Sequence, residues 1–267
     1  MTDRRVALVT GAAGGIGRAT VTMLGEQGFA VAVVDLDAGV VEDVARQLGA
    51  AGVDAVGIAC DIGDPASVAE CLARVSSELG PVSVLHNNAA ATTLARADPA
   101  LLELTVEHWD ETMRVNLRGT FLMTQAVLPG MLAAGSGSII NMSSMAALVG
   151  GGAQTAYSVT KAGIIALTRA TATQYGKRGI RCNAIAPGLI QTPGNAGGHS
   201  GGRMREIMLR QHLTPRLGLP EDVAAAVCWL ASDASAFVTG TVVPVDGGFT
   251  AHSAAAADVA DLMRAES

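Results

Sequence analysis

Tyr157 and Lys161 are the two side chains of this sequence whose types and spacing most directly suggest chemistry. They lie four positions apart, a spacing that puts both on one face of a helix. An ammonium group beside a phenol favours the phenolate, so Lys161 is expected to lower the pKa of Tyr157 from about 10. A tyrosine tuned in this way could serve as a general acid or base near neutral pH. Solvated helix faces carry such pairs too, but Tyr157 is one of only two tyrosines and ends a stretch, 119–160, that lacks charged residues.

A glycine-rich turn near the start of the chain has the composition of a dinucleotide-binding loop. Val6–Val9 leads into Thr-Gly-Ala-Ala-Gly-Gly-Ile-Gly, and a predicted helix follows. Glycines allow the tight turn and the close approach of a pyrophosphate, while the helix N-terminus supplies N–H groups for the phosphates. A purely structural turn is the alternative, but the strand–turn–helix order favours dinucleotide binding. The predicted cofactor contacts in this turn are Gly11, Gly14, Gly15, Ile16 and Gly17.

Asp35 ends the second predicted strand, about 20 residues beyond the glycine turn. At that place a carboxylate can accept hydrogen bonds from the adenosine ribose hydroxyls, and it would repel a 2′-phosphate. No lysine or arginine lies between Ala12 and Gly15, and Leu36 follows the aspartate. These residues predict NAD rather than NADP, with Asp35 and Leu36 at the adenosine end. The alternative is a solvated aspartate at a strand end.

Alternating strands and helices would position these residues. Several short runs of Val, Ile, Leu and Ala lack polar alternation, as strands covered on both faces do. The predicted fold class is therefore α/β, a doubly wound parallel sheet of about seven strands between two helix layers. The predicted strands are Val6–Val9, Ala30–Val34, Val53–Ala59, Val82–Leu85, Ser138–Met142, Arg181–Ala186 and Thr241–Val245. The predicted helices span 15–28, 38–50, 65–79, 106–133, 154–177, 203–212 and 220–231.

One domain is predicted over residues 1–250, followed by a tail over residues 251–267. No internal repeat or linker divides the chain. The alanine-rich tail is expected either to be frayed or to dock on a neighbouring subunit. Two stretches, Ala91–Thr105 and the glycine-rich Gly188–Gly202, fit the alternation poorly. A substrate pocket is expected to be roofed by Ala91–Thr105 and by Gly188–Leu213.

Composition and charge exclude several classes of protein. The 267 residues are 49% hydrophobic and 16% charged, which excludes a disordered chain. Eighteen basic and 24 acidic residues give a net charge of −6, so neither nucleic acid nor an anionic membrane is predicted as a partner. The four cysteines and five histidines lack metal-site spacing, so no metal is predicted and the cysteines are expected to be reduced, buried thiols. No signal peptide or membrane span is recognised, and the predicted location is the cytoplasm.

Five motifs follow one another along the chain: Gly11…Gly15-x-Gly17, Asp61-Ile62, Asn87-Asn88-Ala89-Ala90, Pro187-Gly188…Thr192 and Asp246-Gly247-Gly248. With the Tyr-x-x-x-Lys pair, they resemble the short-chain dehydrogenase/reductase family, in its shorter branch, from about residue 5 to residue 249. The resemblance implies a single Rossmann-type domain. Ala90 stands where the family has glycine, which adds a methyl group near the expected cofactor path. The glycine turn also fits the family's longer branch, but the last two motifs favour the shorter one.

The resemblance implies a catalytic set of Asn116, Ser144, Tyr157 and Lys161. Tyr157 would be the general acid/base, and Lys161 would lower its pKa and bind the nicotinamide ribose. Ser144, thirteen residues before Tyr157, would hydrogen-bond the substrate oxygen, with Ser143 as the weaker candidate. Asn116 would anchor a water that links Lys161 to solvent. Further implied cofactor contacts are Asp61 and Ile62 at the adenine, Asn88, Pro187, Gly188 and Ile190, and Thr192 at the nicotinamide carboxamide.

The expected activity is hydride transfer between NAD and a secondary alcohol or ketone, catalysed by a homodimer or homotetramer. The candidate pocket lining is apolar and favours an uncharged alicyclic, aliphatic or steroid-like substrate; it comprises Leu94, Leu101, Leu102, Leu189, Ile190, Met204, Ile207 and Met208. Four arginines, Arg203, Arg205, Arg210 and Arg216, could instead receive an anionic thioester carrier. The alternatives are therefore a 3-oxoacyl-thioester reductase using NADPH and, in another class, a non-catalytic NAD-binding regulatory protein.

Overall fold

A seven-stranded parallel sheet forms the centre of the molecule. The computed structural model describes residues 5–192, 202–253 and 255–265. The strands are β1 (Val6–Thr10), β2 (Ala30–Asp35), β3 (Ala55–Ala59), β4 (Val82–Asn87), β5 (Gly137–Met142), β6 (Ile180–Pro187) and β7 (Val242–Val245). They lie in the order β3-β2-β1-β4-β5-β6-β7, and every neighbouring pair is parallel.

Helices cover both faces of this sheet. They are α1 (Gly15–Glu26), α2 (Ala38–Ala50), α3 (Pro65–Glu78), α4 (Thr92–Ala97), α5 (Val106–Thr112), α6 (Gly119–Ala134), α7 (Thr155–Tyr175), α8 (Gly202–Gln211), α9 (Pro220–Ala231) and α10 (Ala256–Ala265). A π-helical turn, Met113–Arg118, joins α5 to α6. The helix predicted over 106–133 is thus continuous, with a widened turn inside it.

Alternate side chains of the strands pack into two separate cores. Leu85 and Ile139 belong to a cluster with residues of α3 and α6, whereas Val84 and Ile140 belong to a cluster with residues of α1, α2 and α9. Because both faces are covered, the strands need no polar alternation. The predicted doubly wound α/β fold is confirmed, and all four cysteines are free and buried as expected.

The strand order places the candidate site at one edge of the sheet. The chain runs outward from β1 to β3, then crosses back to β4 on the other side of β1. In such sheets a crevice opens beyond the carboxyl ends of the strands where the order reverses. The glycine turn follows β1 and Asn88 follows β4, so both border this crevice.

Three segments differ from the sequence expectation. The stretch Ala91–Thr105 contains α4, and the alanine-rich tail forms α10, so its described part is not frayed. Arg210 of α8 pairs with Asp258 and Asp261 of α10, which places the described part of the tail against α8 of the same chain. Residues 193–201 of the second poorly fitting stretch lie outside the described residues.

No helix in the described ranges combines the length and apolar character needed to cross a membrane.

Candidate active site

The glycine turn after β1 is shaped by close packing on one side and open on the other. Gly11 has a φ of +65°, and a Cβ there would lie 2.8 Å from Ala89 Cα. A Cβ on Gly17 would collide with the Gly11 carbonyl oxygen. Gly14, in contrast, has an extended backbone and no atom within 4 Å of the position its Cβ would take. These glycines therefore leave one uncovered concave surface at the mouth of the crevice.

Helix α1 begins at this surface with free hydrogen-bond donors. No side chain caps its N-terminus, and its first turn contains no acidic residue. The first N–H groups of a helix have no intrahelical partner, and the helix dipole favours negative charge there. The open space at Gly14 and the uncapped N–H groups fit the pyrophosphate of a dinucleotide. Gly15, Ile16 and Gly17 would supply the donors.

Asp35 and Asn88 hold the glycine turn in place. The carboxylate of Asp35 accepts the N–H groups of Ala13 at 3.0 Å and Leu36 at 2.8 Å. The side-chain amide of Asn88 donates to the carbonyl oxygens of Thr10 and Gly11, both at 3.0 Å. Asp35 keeps unused lone pairs for ribose hydroxyls, since each carboxylate oxygen has two. Leu36 is 71% exposed beside it.

Asp61 and Ile62 make contacts that the sequence did not suggest. The Asp61 carboxylate accepts from Arg114 Nη1 at 2.9 and 3.1 Å and from the N–H of Gly63 at 2.8 Å. Arg114 also pairs with Glu111, and both carboxylates raise the pKa of its guanidinium. The Ile62 side chain is buried against Gly119 of α6. The turn after β3 is thereby tied to the π-helical turn.

Ser144, Tyr157 and Lys161 come together at the carboxyl end of β5. The Ser144 side chain lies close enough to the Tyr157 phenol to lower the pKa of that phenol, and the Ser144 hydroxyl oxygen accepts the N–H of Ala146 at 3.2 Å. Lys161 is only 2% exposed, its Nζ donates to the carbonyl oxygen of Met142 at 2.8 Å, and Nζ lies 5.5 Å from the centroid of the Tyr157 ring. The neighbouring Ser143 has a different role, because its hydroxyl donates to the Lys161 backbone carbonyl at 2.9 Å.

Burial has the largest effect on the pKa values of Lys161 and Tyr157. Loss of hydration lowers the pKa of Lys161 to about 8. The same effect raises the pKa of Tyr157, and the hydrogen bond from Ser144 opposes that rise in part. The expected lowering of the Tyr157 pKa is therefore wrong for the protein alone. The pKa rises because desolvation penalises the Tyr157 phenolate more than the neighbouring groups stabilise it.

Asn116 is fully buried in the π-helical turn. Its Oδ1 accepts the N–H of Ala91 at 2.8 Å, and its Nδ2 donates to Thr160 Oγ1 at 3.3 Å. Thr160 in turn donates to the Tyr157 carbonyl oxygen at 2.7 Å. The side chain of Asn116 thus connects the segment after β4 to the helix that carries Tyr157 and Lys161. π-Helical turns are common at functional sites.

The segment after β6 closes the other side of the crevice. Gly188 donates its N–H to the Val245 carbonyl oxygen at 3.0 Å, and a Cβ on it would lie 2.8 Å from Asp246 Cα. Ile190 is buried and bridges to Gly218. Thr192 lies against the glycine turn, since its Cγ2 would be 3.3 Å from a Cβ on Gly15. Pro187, the last residue of β6, precedes these residues.

Ala90 causes no strain where the resemblance leads one to expect glycine. Among the described residues other than glycine, only Gln154 has a positive φ. The Ala90 carbonyl oxygen accepts the N–H of Thr92 at 2.8 Å as α4 begins. The backbone at this position therefore does not require glycine.

Sequence reasoning missed two positioning residues, Thr10 and Asp98. Thr10 Oγ1 accepts the N–H groups of Asn88 and Ala89, both at 3.0 Å. Asp98 accepts the N–H of Tyr157 at 2.7 Å. Neither pairing has a local sequence signal, because the partners are 78, 79 and 59 residues apart.

Comparisons with known proteins find similar sequences and structures over most of the chain. The sequence profile of a family described as enoyl-(acyl carrier protein) reductase matches residues 11–250. The D-threitol dehydrogenase of Mycolicibacterium smegmatis is 40% identical over 93% of this chain and 94% of its own length. The cis-4-hydroxycyclohexanecarboxylate dehydrogenase of Sinomonas cyclohexanicum is 43% identical over 92% of this chain and 97% of its own. The crystal structure of gox2181, 32% identical, covers 94% of this chain and 97% of its own with a TM-score of 0.86.

Proposed function

The chain belongs to the short-chain dehydrogenase/reductase family, and we propose that it is an NAD-dependent oxidoreductase that interconverts a secondary alcohol and a ketone. The observation that carries the proposal is the meeting of Ser144, Tyr157 and Lys161 after β5, at the same carboxyl edge of the parallel sheet as the open glycine turn after β1. Both relatives described above are named as dehydrogenases of alcohols, which supports the same reacting group.

The proposed reaction moves one proton and one hydride. When bound, NAD would accept the hydride in oxidation, and NADH would return it in reduction. Tyr157, as phenolate, removes the hydroxyl proton of the alcohol. Ser144 donates a hydrogen bond to the same oxygen and stabilises the negative charge that develops there. Lys161 holds a positive charge 5.5 Å from the Tyr157 ring and favours the phenolate.

The cofactor preference rests on Asp35. Its carboxylate lies at the end of β2 and holds the glycine turn, where it has capacity left for ribose hydroxyls. A 2′-phosphate would meet this negative charge, so NAD is proposed over NADP. The glycines of the turn are also proposed to contact the cofactor. Further proposed cofactor contacts are Leu36, Asp61, Ile62, Asn88, Pro187, Gly188, Ile190 and Thr192.

The substrate is proposed to be an uncharged, largely apolar secondary alcohol. Two of the four arginines that could attract an anionic carrier are already paired, Arg210 with Asp258 and Asp261 and Arg216 with Asp222. Among the expected lining residues, Ile190 is buried. The substrate in the name of one relative, cis-4-hydroxycyclohexanecarboxylate, supports an alicyclic ring, and its carboxylate makes it an anion rather than an uncharged alcohol.

A homo-oligomer, dimer or tetramer, is proposed to form through the surface of α5, α6 and α7. Val106, Phe121 and Val159 expose 69%, 44% and 43% of their surfaces there. These three apolar side chains lie on the helices that the family resemblance implicates in subunit contacts. Sedimentation of the purified protein would show a monomer if this proposal is wrong.

The decisive experiment follows the absorbance of reduced nicotinamide with purified protein, NAD or NADP, and a panel of secondary alcohols. The panel includes small aliphatic, alicyclic, aromatic and steroid members, and acetoacetyl thioesters are tested in the direction of reduction. Turnover of uncharged alcohols with NAD is the expected result. Turnover confined to NADPH and thioesters would overturn both the cofactor and the substrate proposals. NADH binding without any turnover would favour a regulatory protein.

A further inference from the structure

Asp98 caps the helix that carries Tyr157 from a distant part of the chain. Its carboxylate accepts the N–H of Tyr157 at 2.7 Å and the N–H of Ala156 at 3.3 Å. Asp98 is only 4% exposed. These N–H groups belong to the first turn of α7, where no intrahelical acceptor exists.

The cap has to come from elsewhere because α7 starts without one of its own. Gln154, the residue before the helix, has a left-handed backbone with φ 64° and ψ 45°, and its side chain does not cap the helix. It turns instead toward the segment that carries Asp98. Gln154 donates its N–H to the Asp98 carbonyl oxygen and its Nε2 to the Ala95 carbonyl oxygen, both at 3.0 Å. Thr155 adds a hydrogen bond from Oγ1 to the Pro99 carbonyl oxygen at 3.1 Å.

The same segment is fixed at its other end to Asn116, whose Oδ1 accepts the Ala91 N–H. Residues 91–99 thus span two members of the proposed catalytic set, the amide of Asn116 and the backbone of Tyr157. A buried carboxylate also suits the positive end of the helix dipole. Because a hydrogen bond to a charged acceptor is shorter and stronger than a neutral one, Asp98 restrains Tyr157 more firmly than a neutral cap would.

We propose that Asp98 is a positioning residue that holds Tyr157 in register with Ser144 and the substrate oxygen by accepting its backbone N–H. The inference rests on the proposed function for its consequence in turnover, but the hydrogen bond itself can be tested without substrate. Displacement of a reacting group by about 1 Å can cost up to a hundredfold in rate. Loss of Asp98 is therefore expected to lower kcat.

The test compares Asp98→Ala, Asp98→Asn and a control, Asp222→Ala. Asp222 accepts the N–H of Leu219, the residue before α9, at 2.8 Å and pairs with Arg216, so its removal also weakens the N-terminus of a helix, but of one that carries no proposed catalytic residue. Asp98→Ala is expected to lower kcat about tenfold or more with the NADH dissociation constant unchanged. Asp98→Asn keeps an oxygen acceptor and is expected to recover most of kcat. Asp222→Ala is expected to lower Tm with kcat unchanged.

Hydrogen–deuterium exchange of peptides covering residues 153–160 supplies the second measurement. Exchange is expected to accelerate in Asp98→Ala and to remain slow in Asp98→Asn. Equal exchange in wild type and Asp98→Ala, or an Asp98→Ala variant with unchanged kcat, would overturn the inference. The inference would also be overturned if Asp98→Ala and Asp222→Ala lost the same Tm and Asp98→Ala showed no larger fall in kcat. Absence of wild-type turnover on the whole substrate panel would instead reject the proposed function, while the exchange measurement would still test the hydrogen bond.

Discussion

The proposed catalytic residues Tyr157 and Lys161 and the proposed lid, helix α8 in the stretch expected to roof the substrate pocket, are held by different kinds of contact. Tyr157 and Lys161 are fixed by buried hydrogen bonds to Asp98 and to the Met142 carbonyl oxygen. The lid helix α8 has no buried residue, and exposed ion pairs between Arg210 and two aspartates tie it to α10.

The energetic difference between the two regions is large. A buried polar group that loses its partner costs about 1–3 kcal/mol, whereas an exposed ion pair contributes about 0–1 kcal/mol and is screened by salt. The positions of Tyr157 and Lys161 are therefore held firmly, whereas α8 can shift at little cost in free energy.

The largest expected effect is on Tyr157, in the firmly held region. Tyr157→Phe removes the proton donor and acceptor while keeping the ring, so kcat is expected to fall by about 10²–10⁴-fold. The NADH dissociation constant, measured by fluorescence titration, is expected to change little. A variant that retains near-wild-type kcat would contradict the mechanism.

His86 is expected to make the folding stability of the protein fall at acidic pH. It is fully buried on β4, neither ring nitrogen has a partner in the described part of the chain, and burial lowers its pKa to about 3. The unfolded chain takes up this proton near pH 6.5, but the folded protein does not. The stability contributed by neutral His86 is therefore complete above pH 6.5 and falls as the pH drops from 6.5 toward 3, by up to about 5 kcal/mol.

His86→Leu is the matched variant, because it removes the titrating group from an apolar position. Its urea-unfolding free energy is expected to depend less on pH between 6.5 and 4 than that of the wild type. Identical pH dependence in the two proteins would show that His86 does not contribute.

Gly17 and Gly14 separate packing from cofactor binding in the glycine turn. Gly17→Ala drives a methyl group into the Gly11 carbonyl and is expected to destabilise the fold by about 1–3 kcal/mol. Gly14→Ala enters open space and is expected to leave Tm unchanged but to raise the NADH dissociation constant severalfold. Unchanged NADH affinity in Gly14→Ala would place the pyrophosphate elsewhere.

The smallest effect is expected in the lid. Arg210→Ala removes both ion pairs to α10 and is expected to change stability by less than about 1 kcal/mol. Its KM is expected to rise about twofold, and added salt should produce the same change in the wild type. A tenfold change in KM would show that the lid is held as firmly as Tyr157.

The amino-acid sequence by itself determined most of the architecture. Uninterrupted apolar runs predicted strands buried on both faces, and the glycine turn with Asp35 predicted a dinucleotide-binding turn after the first strand. These signals are local, since strand propensity, helix periodicity and glycine conformations depend on neighbouring residues. The position of the C-terminal tail could not be predicted in this way. Its alanine-rich composition did not show that α10 would form an ion pair with Arg210.

Only the tertiary structure decided how the site residues work together. Asp98 meets Tyr157 across 59 positions, and Ser144 lies close to the phenol whereas the Ser143 hydroxyl donates to the Lys161 carbonyl. The direction of the Tyr157 pKa shift was also decided there, since burial raises this pKa whereas the four-residue spacing to Lys161 predicted that it would be lowered. Hydration and long-range hydrogen bonds depend on the packed surroundings of a group, which no local pattern of residues encodes.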